Sequence, residues 1–308
     1  MMNFRYHVVS LVAVLFALSI GLVLGAGLLS SGTGTAAAVS VVDLQAETAL
    51  LRERVASAEA TLVFADSVGE ATQSDQVDGA LSDRRIVVVA LPGADPAAVS
   101  GTREALGSAG ATVTGTIEVA DSWTDAASEA VLDSLAVQLV ASGATLPTTD
   151  GYERGAVVLA SAVLDAAPTR NDDTATATAT AFVESDLVTL AEPLRGTAEL
   201  AVVVAGDQVA DDGEAGRRLG ALTSLATAFD TEGAGAVLAG PPVSAADGGV
   251  VQAVRTDAEL AAVLSTVDMV QISSGRTSAV LALAEQAAGG VGHYGAVGDV
   301  DGPLPAQG

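Results

Sequence analysis

Two stretches decide the fold: Arg84-Arg85-Ile86-Val87-Val88-Val89-Ala90-Leu91-Pro92-Gly93 and Glu199-Leu200-Ala201-Val202-Val203-Val204-Ala205-Gly206-Asp207. Each is a short, continuously apolar run ended by glycine. A strand with one wet face alternates apolar and polar residues, whereas a parallel strand covered on both faces does not. Both runs therefore read as central strands of a parallel sheet, and each is followed by helical spacing. Pro96 to Ala109 suits a helix with proline in its first turn. Ala111 to Val119 alternates as a strand does, and Ala126 to Val140 carries Val131, Leu135 and Leu139 at helical spacing.

The rhythm returns after the second run. Glu214 to Phe229 reads as a helix with Leu219, Leu222, Leu225 and Phe229 on one side. Gly235 to Gly240 reads as a strand, Val250 to Val254 as a short one, and Met269 to Ile272 as another. Gly275 to Ala287 reads as a helix. The fold class expected is α/β, an open, mainly parallel sheet with helices on both faces over residues 80–290. Residues 143–180 read as an insertion or surface excursion: a helix over Gly151 to Ala167, a polar turn, and a threonine–alanine run that specifies little. Residues 291–308, rich in glycine and proline, read as a flexible tail.

Upstream of the α/β region the pattern changes. Val8 to Leu29 carries no charge. At ~1.5 Å per residue such a helix spans ~33 Å, enough for a hydrocarbon core of ~30 Å. Arg5 precedes it and the next basic residue is Arg52, which places residues 1–7 in the cytoplasm and the main domain outside. A cleaved signal peptide with Ala36 to Ala38 near its cut is the competing reading, although its apolar region is usually shorter, about 7–15 residues. Gly21 and Gly25 form a small-residue face that permits close helix pairing in lipid. Residues 30–39 read as a flexible linker.

Residues 40–70 read as a juxtamembrane helix. Leu44, Leu51, Ala58 and Ala65 recur every seven positions, and Thr48, Val55 and Leu62 fall four after the first three. That stripe predicts a short coiled coil and a homodimer through residues 41–66; docking of the helix on the following domain is the alternative.

Composition excludes several functions. Thirty-eight acidic residues face thirteen basic ones, giving a formal charge of −25, so no basic patch can serve nucleic acid. Without cysteine there is no disulfide, thiol nucleophile, zinc finger or iron–sulfur site. Every basic residue is arginine, which excludes lysine Schiff bases and a Walker lysine. No G-x-S-x-G elbow is present. An enzyme is therefore not expected, and neither a catalytic residue nor a cofactor is assigned.

Loops at the carboxyl ends of strands carry ligands in open sheets, so those around Gly93, Gly206 to Asp212 and Gly240 to Pro242 form the expected contact surface. Asp207, Asp211 and Asp212, with Glu214, are weak candidates for a divalent metal, against a reading as helix caps. Met269 and His293 are the remaining weak metal candidates, because soft and imidazole ligands suit copper; they can meet only through tertiary folding.

The two ends of the chain carry a family resemblance. Phe4-Arg5-Tyr6-His7-Val8-Val9-Ser10-Leu11 through Leu18, followed by Ile20 to Gly25, resembles the start of the actinobacterial MctB-like copper transporter family. Gly275-Arg276, Leu281 to Gln286, and Gly289-Gly290-Val291-Gly292-His293-Tyr294-Gly295 resemble its C-terminal signature. The resemblance implies a non-enzymatic cell-envelope protein of copper export or homeostasis, in a family sometimes described as an outer-membrane channel. Related members are linked to cell division, which implies as an alternative a membrane-anchored scaffold whose partner controls division or wall hydrolysis. A divalent-metal-dependent enzyme built on the acidic loop is the last alternative. Copper enters by resemblance alone, since no ligand set carries over residue by residue. A membrane barrel would need many alternating strands and aromatic girdles, and aromatics are 3% of this chain.

Overall fold

The central strand β1 (Arg85–Ala90) shows why its sequence is apolar from Ile86 onward. Val87 and Val89 enter one core, while Ile86 and Val88 enter another on the opposite face. Strand β4 (Leu200–Val204) divides in the same way, with Ala201 and Val203 on one side and Leu200, Val202 and Val204 on the other. From Ile86 to Ala90 and along all of β4 no position is left to water, so alternation has nothing to encode.

The computed structural model describes residues 34–140, 145–164, 172–208 and 213–306. The expected membrane span at residues 8–29 lies outside them. Among the described residues no helix is long and apolar enough to cross a membrane. The chain divides into two units, Met1–Ala65 and Asp66–Gly308.

In the first unit the described residues belong to helix α1, which runs from Gly34 to Val77. The helix begins inside the segment expected to be a linker, where Ala36, Ala37 and Ala38 are the strongest of helix formers. Leu44, Leu51, Val55 and Leu62 all stand exposed along it.

The second unit is built on seven strands in the order β3-β2-β1-β4-β5-β6-β7. The others are β2 (Thr112–Val119), β3 (Val188–Leu190), β5 (Ala236–Ala239), β6 (Ser265–Val267) and β7 (His293–Tyr294). Neighbours pair in parallel except β3, which runs antiparallel to β2. One face is covered by α2 (Pro96–Ser108), by α9 (Ser273–Ala287) and by Val77 at the end of α1. The other is covered by α3 (Ser128–Leu139), α4 (Gly151–Val163), α5 (Asp172–Glu184), α6 (Ala215–Thr231) and α7 (Val250–Thr256). A one-turn helix, α8 (Ala258–Ala261), follows α7.

Four expectations are corrected. Val250 to Val254 is the helix α7 rather than a strand: Val250, Val251 and Val254 are buried at helical spacing, which a short valine run conceals. Met269 to Ile272 is a turn, with Met269 at φ +71°, and the strand lies upstream at Ser265–Val267. That strand escapes a hydropathy reading because Ser265 and Thr266 are fully buried yet polar. The segment read as a surface excursion supplies core: Tyr152, Ala156, Leu159 and Val163 of α4 are buried, and Phe182 of α5 stacks near Trp123. The tail read as flexible contributes β7 and its flanking bonds, with Asp301 N donating to His293 O at 2.8 Å.

Candidate ligand site at the carboxyl edge of the sheet

The strand order reverses between β1 and β4, which puts the topological switch point at their carboxyl ends. The two loops there are packed together. Leu91 N donates to Val204 O at 2.8 Å. A Cβ on Gly206 would lie 2.3 Å from Pro92 O, so only glycine lets the second loop pass. Gln208 and Asp207 lie beside Gly93. Two of the three expected contact loops thus meet, at Gly93 and Gly206.

The open space lies one strand over, at the carboxyl ends of β1 and β2 beneath the first turns of α2. It is a cavity of about 490 Å³. Asp95 caps α2 by accepting from Ala97 N at 3.0 Å, and Pro96 opens the helix. On the same helix Arg103 reaches the cavity and ion-pairs with Glu192. From β2 come Thr116 and Glu118, two apart and therefore on one face. Thr189 of β3 donates to Glu118 Oε2 at 3.2 Å. Thr116 is 1% exposed, and among the described residues neither its buried hydroxyl nor the buried Nε of Arg103 has a hydrogen-bond partner.

A second polar centre sits at the ends of β6 and β7. Asp268, fully buried, accepts from Arg255 Nη1 at 3.0 Å, Ala296 N at 2.7 Å and Val297 N at 3.2 Å. Arg255 also donates to Val297 O and Tyr294 O, each at 2.8 Å, and its Nε donates to Thr266 Oγ1 at 2.8 Å. A Cβ on Gly295 would fall 2.2 Å from Asp268 Oδ1, so the close approach and the φ of +136° both require glycine. One buried ion pair thereby ties the C-terminal segment to the sheet.

The weak metal candidates are not brought together. Asp207 is exposed at the switch point, while Asp211 and Asp212 lie outside the described residues. Glu214 precedes α6 and pairs with Arg217 at 2.8 Å. Met269 Sδ lies 3.9 Å from Gln271 Nε2 and borders a separate cavity of about 230 Å³ with Ile272, Ser278 and Leu304. His293 Nδ1 sits 2.9 Å from Thr266 Oγ1. Burial, and after it the nearby Arg255 cation, holds His293 below the ordinary histidine value, so the ring is neutral near pH 7. Among the described residues no group of three or more His, Cys, Asp or Glu stands ready to hold a metal. Sequence reasoning missed Arg103, Thr116 and Glu118. The only trace of them was a polar alternation on β2 beside an otherwise apolar sheet.

Fold and site together define a doubly wound α/β protein with a ligand-sized cavity at the carboxyl edge of its sheet and a long helix preceding it. Its relatives place it more closely. The family described as "Copper transport outer membrane protein, MctB" matches residues 1–305. The chain is 31% identical over 304 residues to "Copper transporter MctB" of Mycobacterium tuberculosis (strain H37Rv), covering 96% of each chain. It is 29% identical over 307 residues to the protein of that name from Mycobacterium leprae, again over 96% of each. The chain belongs to the MctB family.

Proposed function

We propose that this chain is a non-enzymatic cell-envelope protein that acts in copper export or homeostasis. The observation that carries this reading is the match along nearly the whole chain to relatives named as copper transporters. Copper is the cargo in this reading. The fold supports a role within an assembly rather than as a pore wall. A parallel sheet covered by helices on both faces offers no lipid-facing surface. A second reading, an anchored scaffold for a partner in cell division, draws support from α1, where Leu44, Leu51, Val55 and Leu62 are 61%, 51%, 55% and 59% exposed along one heptad stripe.

Deletion of the gene in its own host tests the proposal. The expected result is a several-fold lower tolerated copper concentration and raised cell copper, with zinc tolerance unchanged and full rescue by the intact chain. Unchanged copper content and tolerance would overturn it. Altered septation or wall turnover in the same strain would then favour the scaffold.

A further inference from the structure

We propose that residues 44–65 of α1 pair in parallel and in register with the same residues of a second copy of this chain, and that crossed ion pairs fix the register. The apolar stripe sets the positions. With Leu44, Leu51, Ala58 and Ala65 at d of a heptad, Thr48, Val55 and Leu62 fall at a, and every one of these residues is exposed in the single chain. Thr48 and Val55 at a, with Leu44 and Leu51 at d, follow the rule that β-branched residues at a and leucine at d favour two strands in parallel. Thr48 suits such a seam because its hydroxyl already donates to Leu44 O at 2.6 Å, which leaves its methyl group for the partner. The stripe stops at Ala65, since the next position, Gly69, lies against Ser273 at the start of α9.

The charges beside the stripe point to the occupant. Arg52 and Arg54 are the only arginines between Arg5 and Arg84, and they fall at e and g. Glu59 and Glu47 hold the neighbouring e and g positions. In a parallel pair a g residue faces the e residue five positions further along the other helix. Glu47 then faces Arg52 of the second copy, Arg54 faces Glu59 of the second copy, and symmetry doubles both pairs. All four side chains are exposed, and among the described residues none of them forms an ion pair within its own chain. Slipping one helix by a heptad sets Glu47 against Glu59 and Arg54 against Arg52, so repulsion excludes that register. Exposed pairs add little affinity each; what they decide is partner and register. A second copy of this helix matches the order of charges in full.

The chain has no cysteine, so a single introduced one reports the pairing. In the full chain in detergent micelles, oxidised with diamide, Leu62→Cys is expected to form a disulfide-linked dimer at least tenfold faster than Phe64→Cys, an exposed position off the stripe. Adding Arg52→Glu and Arg54→Glu to the Leu62→Cys chain is expected to slow cross-linking at least fivefold, and so is adding Glu47→Arg and Glu59→Arg. An equimolar mixture of these two variants is expected to regain the original rate, because every crossed pair is again opposite in sign. None of these changes should lower the unfolding temperature of the α/β unit, which begins at Asp66. Equal rates for Leu62→Cys and Phe64→Cys would overturn the proposal. So would charge variants that cross-link at the original rate, or a mixture no faster than either variant alone. Cross-linking of a Leu44→Cys chain to a Leu62→Cys chain in place of the symmetric Leu62→Cys product would reveal an antiparallel pair and overturn it as well.

Discussion

Asp268, together with Arg255, holds the end of the domain to the sheet. It is fully buried and takes the Arg255 guanidinium and two backbone N–H groups at once. Removing one member of a buried pair leaves the other charge unpaired, at about 3–5 kcal/mol. Asp268→Asn is therefore expected to lower the unfolding temperature by about 10 °C. A thermal melt followed by circular dichroism checks it, and a shift under about 2 °C would mean that Arg255 finds another partner. Nothing in the sequence marks this aspartate out among the other acids. Its partners come from two separate segments, Arg255 and Ala296–Val297, and no spacing rule links them. The glycine-rich signature around Gly292 to Gly295 was legible as a motif, but its reason, a carboxylate where a Cβ would stand, needs the fold.

At the scale of elements, long periodic segments read correctly and short ones did not. Helices α2, α3, α6 and α9 carry three or more turns of pattern, which a helical period can register. Val250–Thr256 has two turns, where an apolar run is as consistent with a strand as with a helix. Ser265–Val267 has only three residues and hides two polar ones, whose needs are met by Gln286 and His293. Helix α1 is the element whose role remains a proposal. Its Leu44, Leu51, Val55 and Leu62 are exposed at coiled-coil spacing, and pairing with a second copy would cover them. Leu51→Asp is expected to shift the full chain from dimer toward monomer in sedimentation through detergent. The unfolding temperature of the α/β unit should not change, because Leu51 lies in the other unit. A mass independent of this substitution and of concentration would count against pairing.

For the molecule as a whole, the class of fold was legible because both faces of the sheet are covered, and that leaves its mark on β1, β4 and β5. The strand order and the antiparallel β3 were not legible, since pairing between distant segments has no local signature. Nor was the candidate cavity, which is assembled from α2, β2 and β3. Topology is the remaining expectation at this scale. With Arg5 ahead of the uncharged run Val8 to Leu29, reporters fused at residue 3 and after Gly308 are expected to give cytoplasmic and extracytoplasmic signals respectively. A cytoplasmic signal from the second fusion would reverse the proposed orientation.

The short last strand has a consequence for how this domain behaves among other protein chains. Beyond β7 the chain turns back, so that Gly302 bridges Tyr294, Gly295 N donates to Gly302 O at 2.9 Å, and Asp301 N donates to His293 O. The outer margin of the sheet thus spends its hydrogen bonds on its own tail. A bare parallel margin is a template on which foreign chains, or unfolded copies of the same one, add strand by strand into aggregates. Here Asp301 and Gly302 act as a selvage, finishing the woven edge so that it does not recruit thread from elsewhere.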